Sequence, residues 1–220
     1  QQIKQWLAGW ADRRGYNIYA DGLVVRTTID SQLQAMAVDA LTRQADTLQA
    51  ISDKAWNRRS PNKRVPADAA PMLQAAFVAE DPVTGQIKAW VGSRDFKRDQ
   101  FDHVQQARRQ PGSTFKPFVY GAAFAMGMSP VDLFIDEPPQ IQIDAKTVWQ
   151  PSDVHDATGL PTTLRDGLVY SKNSITAQLV ERVGASRVAG VARAMGVRQS
   201  KLDEVPSLAL GTSAVSLKEM

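Results

Sequence analysis

Arg109-Gln110-Pro111-Gly112-Ser113-Thr114-Phe115-Lys116-Pro117 is the stretch on which the reading of this chain turns. Pro-Gly interrupts the backbone just before an apolar run, so a helix is predicted over 113–127 with Ser113 in its first turn. Lys116 lies three residues on, on the same helix face one turn up. A serine hydroxyl is a weak nucleophile until a neighbouring group accepts its proton. A lysine serves only when neutral, and burial in an apolar helix such as 118–128 favours the neutral form. The helix start also offers N–H groups to a developing oxyanion. The ordinary reading of Ser-x-x-Lys is a capping serine followed by a solvated lysine. Here Lys116 is followed by Pro117 and a long apolar run, a poor place for a solvated charge. Proline pushes the preceding residue away from helical angles but is tolerated in a first turn.

Downstream, 129–161 reads as a long irregular stretch with five prolines, followed by helices over 163–169, 174–183 and 186–195. Gly184 and Gly196 stand at C-cap positions. Between the first two helices lies Tyr170-Ser171-Lys172-Asn173-Ser174, 58 residues from Ser113 to Ser171. A Ser-x-Asn on a tight turn can aim a hydroxyl and an amide at one point, although both residues are also common turn formers. Upstream, the apolar runs 73–80 and 86–92 flank Asp81-Pro82-Val83-Thr84-Gly85, which predicts an antiparallel hairpin. A strand is expected over 23–28, and Ser31-Gln32-Leu33-Gln34 has capping-box spacing for a helix to about Ile51. That helix carries an apolar face of Leu33, Met36, Ala37, Ala40, Leu41, Leu48 and Ile51. A weaker helix over 2–14 groups Ile3, Trp6, Leu7 and Trp10, and 52–71 reads as a loop or linker. The expectation is an α/β (α+β) domain, with helices packed on an antiparallel sheet.

Composition narrows the function classes. Hydrophobic residues make up 43% and charged residues 22%, so the chain can bury a core. A net charge of +3 with no concentrated basic face gives no case for nucleic acid. With no cysteine there is no disulfide framework and no thiol nucleophile, and two histidines make a poor zinc set. His103 and His155 lack a triad-like context and read as surface or loop residues.

The two motifs together resemble the Ser-x-x-Lys and Ser-x-Asn pair of penicillin-binding proteins and serine β-lactamases. The resemblance extends through 22–30, 81–92, 110–118, Trp149-Gln150-Pro151, 163–168 and 207–211, and is to the transpeptidase half of a class A, bifunctional penicillin-binding protein. It implies a linker over 1–20 and a transpeptidase domain over 21–220, in a polypeptide cut at both ends, with C-terminal strands missing. It implies that Ser113 is acylated by the D-Ala-D-Ala end of a stem peptide with Lys116 as base. Ser171 would pass a proton to the leaving D-alanine, and Asn173 would bind substrate or orient Lys116. Trp149 and Lys172 are the expected substrate contacts. Neither cofactor nor metal is implied. The implied partners are stem peptides, β-lactams, an upstream glycosyltransferase domain and other cell-wall synthesis proteins. The implied location is the periplasmic face of the cytoplasmic membrane, reached through an N-terminal anchor outside this sequence.

The sequence departs from the family pattern at two points. No Lys-Thr-Gly or Lys-Ser-Gly occurs, so the strand that recognises the substrate carboxylate is not among these residues, and this piece alone is expected to be weakly active or inactive. Asp153 stands where the family's Trp-x-Pro-x-Asn pattern has asparagine. Two rival readings remain: a serine β-lactamase, which needs a water-activating base, and a non-catalytic β-lactam sensor or scaffold.

Overall fold

The computed structural model describes residues 2–59, 72–142, 146–152 and 157–220. Two apolar clusters organise them. The larger forms around α3 (Lys116–Ala125), whose sequence is apolar on nearly every side. It buries Phe118, Val119, Tyr120, Ala122 and Ala123 against α5 (Asn173–Val183) and α6 (Ala185–Met195). From α5 come Ile175, Leu179, Val180 and Val183, and from α6 Val188, Ala189 and Ala192. The spacing of three and four residues is that of one helix face turned to a core. Truncating a side chain such as Leu179, which has no exposed surface, to alanine is expected to cost about 2–5 kcal/mol. The short α4 (Leu164–Val169) joins this cluster through Leu164. Its start is capped by Thr163, whose hydroxyl accepts from the Asp166 N–H at 3.0 Å.

The helix expected over 2–14 is present as α1 (Gln2–Asp12). The smaller cluster joins α2 (Ser31–Arg59) to a hairpin of β1 (Phe77–Glu80) and β2 (Ile87–Val91). Ala37 and Leu41 on the helix meet Ala89 and Val91 on β2. The hairpin is antiparallel with Val78 opposite Trp90 and Ala79 opposite Ala89, as its turn chemistry predicts. Asp81 Oδ1 accepts the N–H groups of Val83 and Thr84, both at 2.9 Å, and so shapes the turn. These bonds hold its carboxyl below the usual range. Two further antiparallel pairs lie in the proline-rich stretch: β3 (Leu133–Ile135) with β6 (Pro161–Thr163), and β4 (Ile141–Gln142) with β5 (Val148–Trp149). The mixed architecture expected from the sequence is present.

Four local expectations are corrected. Residues 23–28 form no strand. The side chain of Gln34 occupies the Trp90 backbone instead, accepting its N–H at 2.8 Å and donating to its carbonyl at 3.0 Å. Thr28 and Asp30 reach the β2 edge through Ile87 O and Lys88 O. The cap of α2 is Asp30 rather than Ser31, because its Oδ1 accepts from Gln32 N and Leu33 N at 2.9 and 3.0 Å. Gln34, engaged by Trp90, cannot complete the capping box. The predicted apolar face of α2 is only partly covered: Ala37 and Leu41 are buried, whereas Met36 and Ile51 are 66% and 59% exposed. The helix also runs on to Arg59, past the expected end near Ile51, and the rest of the predicted linker, 60–71, lies outside the described residues.

Candidate active site

The nucleophile candidate stands on a 3-10 turn, Gly112–Phe115, which runs directly into α3. Thr114 closes the turn by donating its hydroxyl to Pro111 O at 2.7 Å. In a 3-10 turn residues i and i+3 eclipse, so Ser113 and Lys116 share one side. Ser113 is exposed, while Phe115 and Lys116 are buried, Lys116 to 1% exposure. A lysine so deep needs partners, because an unsatisfied buried ammonium is costly.

The partners come from the second motif. Lys116 Nζ donates to Ser171 O at 2.5 Å, Ser171 Oγ at 3.1 Å and Asn173 Oδ1 at 2.7 Å. The two halves of the predicted site, separated by more than fifty residues in sequence, therefore meet on one amine. No hydrogen bond joins Lys116 Nζ to the Ser113 hydroxyl among the described residues, although such a bond, or a slightly longer contact, is expected from the helix spacing. The amine is held instead by the oxygens at 171 and 173.

The sequence sets this meeting through α4 and its exit. Lys172 N donates to Gly167 O at 2.8 Å, and Ser171 N to Leu168 O at 3.0 Å. That double bond is the helix-ending motif in which the residue at the Ser171 place turns left-handed. Ser171 has φ +54° and is the single non-glycine residue with positive φ among the described residues. Its carbonyl and hydroxyl thereby face the same amine. Gly167 permits the approach: a Cβ there would lie 2.8 Å from Ile175 Cγ2 and 2.9 Å from Tyr120 Oη. Asn173 opens α5, and its Nδ2 donates to Ser152 O at 2.7 Å. The same amide thus bridges the lysine and the chain that follows Trp149.

Trp149, a candidate substrate contact, is half-buried on β5 opposite Ile141. Lys172, the other one, turns its ammonium to Asp136 Oδ2 at 2.8 Å, with 19% of its side chain exposed. His103 pairs with Asp99 at 2.8 Å. His155 and Asp153 lie outside the described residues.

Two contributors have no signal in local spacing. Asp136 is one, since its partners lie more than twenty residues away. Gly211 is the other, although it lies in the stretch 207–211 that carries the family resemblance. It follows the 3-10 turn Pro206–Leu210 with φ +71°, and its carbonyl accepts the Gly112 N–H at 3.3 Å. A Cβ at Gly211 would sit 2.5 Å from Gly112 N and 2.8 Å from Gly112 C, so the backbone before Ser113 is seated on a glycine. Paired bonds between Arg109 and Val215, both 2.9 Å, fix the approach to the turn.

Among protein families, the penicillin binding protein transpeptidase domain matches residues 75–209. Penicillin-binding protein 2D of Bacillus subtilis is 35% identical over 205 residues, 92% of this chain and 26% of the relative. Penicillin-binding protein 1A of Neisseria meningitidis is 39% identical over 146 residues, 64% of this chain and 18% of the relative. The crystal structure of penicillin-binding protein 1A from Haemophilus influenzae superposes with a TM-score of 0.61 at 29% identity, over 70% of this chain and 24% of that one. The chain thus spans about a quarter or less of the length of each of these proteins.

Proposed function

Because this chain belongs to the penicillin-binding protein transpeptidase family, we propose that it carries the acyl-transfer centre of a peptidoglycan D,D-transpeptidase. The observation that supports this reading most is the buried amine of Lys116, held between Ser171 and Asn173 beside the Ser113 turn. In this scheme Lys116 first loses a proton and with it one of its three donations, and the neutral amine so formed takes the proton of the Ser113 hydroxyl as the serine oxygen attacks the carbonyl of the penultimate D-alanine. The bond to the terminal D-alanine then breaks, and the departing nitrogen receives a proton relayed from Lys116 through the Ser171 hydroxyl. The donor peptide is left as an ester on Ser113. An amine from a second stem peptide attacks that ester, forms the cross-link and returns the serine oxygen its proton. A β-lactam would be opened by the same attack, with its ring nitrogen as the leaving group.

Ser113 is the nucleophile, Lys116 the general base, Ser171 the proton relay and Asn173 the group that orients Lys116. Trp149 stands at the edge of the substrate cleft, and Lys172 acts through the turn it anchors. On the same reading residues 21–220 belong to the transpeptidase domain and 1–20 link it to a glycosyltransferase domain. The site works at the periplasmic face of the cytoplasmic membrane, and no helix among the described residues is long and apolar enough to cross it.

The full-length protein is tested with stem peptides ending in D-Ala-D-Ala and a peptide amine acceptor. The expected result is a cross-linked product, lost in Ser113→Ala and on penicillin treatment. Rapid release of hydrolysed penicillin would instead identify a β-lactamase, and stable acylation without any cross-linking would identify a sensor.

A further inference from the structure

Asp136 follows β3 and has no exposed surface. Its backbone is fixed by Asp136 N donating to Leu160 O at 3.0 Å and Gly159 N donating to Asp136 O at 3.1 Å. The carboxylate joins that same segment to the second motif. Oδ1 accepts the Ser174 hydroxyl at 2.5 Å, and Oδ2 accepts Lys172 Nζ at 2.8 Å, Thr158 Oγ1 at 2.9 Å and Thr158 N at 3.1 Å. Lys172 and Ser174 are the two neighbours of Asn173. One buried carboxylate therefore grips the second motif on both sides of the residue whose amide oxygen holds Lys116.

We infer that Asp136 is a positioning residue for acyl transfer, acting through Asn173 and Ser171 on the Lys116 amine. An apolar pair in place of Asp136 and Lys172 would fill the same volume without fixing direction, and such exchanges of buried ion pairs are often neutral for stability. Donors converging on two oxygens instead fix the orientation of the turn, and a displacement of about 1 Å at a reacting group can cost roughly 10²-fold in rate. Burial opposes ionisation of Asp136, but the bonds from Lys172, Ser174 and Thr158 outweigh it and hold the carboxyl well below the usual range. It therefore acts as a carboxylate at every pH where a lysine base works.

This inference rests on the proposed reading of the site, and its test separates the two. The full-length protein and Asp136→Asn are compared with a chromogenic penicillin, resolving the pre-acylation affinity from the acylation rate constant. The expected result is an acylation rate lower by roughly 10- to 100-fold, with affinity changed less than about 2-fold. Adding Lys172→Gln to Asp136→Asn restores a neutral hydrogen-bonded pair and is expected to recover most of the lost rate. An unchanged rate in Asp136→Asn, or a loss that merely tracks the unfolded fraction and is not rescued by the second change, overturns the inference. If Asp136→Asn does not fold, Ser174→Ala keeps the ion pair and removes one grip; a several-fold slower rate at unchanged affinity supports the inference, and a parental rate overturns it. Should the parent form no adduct at Ser113, the reading of the site falls. Hydrogen exchange at amides 171–176 then decides the clamp: faster exchange in Ser174→Ala or Asp136→Asn supports it, and equal exchange refutes it.

Discussion

Ser171 occupies a place where a helix end usually puts glycine. The bonds from Lys172 N to Gly167 O and from Ser171 N to Leu168 O force its φ to +54°. A left-handed conformation costs a residue with a Cβ about 1–2 kcal/mol, so a glycine here would relieve strain. Serine is there nonetheless, and its hydroxyl lies 3.1 Å from Lys116 Nζ. Ser171→Gly is therefore expected to melt at or above the parental temperature while acylation falls roughly 10²-fold or more, the scale of a lost proton-transfer group. Ser171→Ala should lose the same rate without the gain in stability. Calorimetry beside stopped-flow acylation checks both, and parental rates in Ser171→Gly would remove the hydroxyl from the mechanism. The Ser-x-Asn turn was legible because its residues are adjacent and flanked by helix patterns. The left-handed backbone was not, since it depends on carbonyls of the preceding helix.

At the scale of elements, the Ser113 turn is held from outside its own helix. Gly211 touches Gly112, and Val215 pairs with Arg109. Gly211→Ala would place a Cβ 2.5 Å from Gly112 N, at a residue with φ +71°. The expected outcome is an acylation rate reduced about 10²-fold through displacement of the turn. Gly190→Ala makes the control, because it lies on the exposed side of α6 and a Cβ there meets nothing within 4 Å. It should stabilise the protein by roughly 0.5–1 kcal/mol and leave acylation unchanged. Comparable rates in Gly211→Ala and Gly190→Ala would show that the 206–215 segment does not position the nucleophile. The sequence signals for the hairpin and for α4, α5 and α6 were strong because turn residues and apolar periodicity agree there. Where a side chain supplies the edge bonds, as Gln34 does for Trp90, periodicity has nothing to report. The strand expected over 23–28 failed for that reason, and Asp30 took the cap from Ser31 because its side chain reaches both N–H groups.

Across the whole molecule, charge ties distant segments together and makes stability depend on acid. Burial works against the Glu219 carboxylate, yet the Ser200 and Ser216 hydroxyls and the N–H groups of Gln199 and Ser200 bring its pKa down from 4.5 to about 2. Asp136 is lowered too, with its bonds overcoming its burial. A lowered native pKa means that the unfolded chain binds the proton more readily, so stability is complete above the unfolded value and lost as pH falls towards the native one. The melting temperature is expected to drop as pH is taken from about 4.5 to about 2. Glu219→Gln should be less stable than the parent at neutral pH and should flatten that slope; an unaltered slope would show that other carboxylates set it. These long-range carboxylate contacts were invisible in the sequence, whereas the acylation motif was legible because its chemistry is written within four residues. The mechanism depends above all on Ser113 being the acylated residue. Peptide mapping of the full-length protein after brief exposure to penicillin decides this. One equivalent of ring-opened penicillin is expected on the peptide containing Ser113, absent in Ser113→Ala; an adduct on another residue, or a full adduct in Ser113→Ala, would rule Ser113 out.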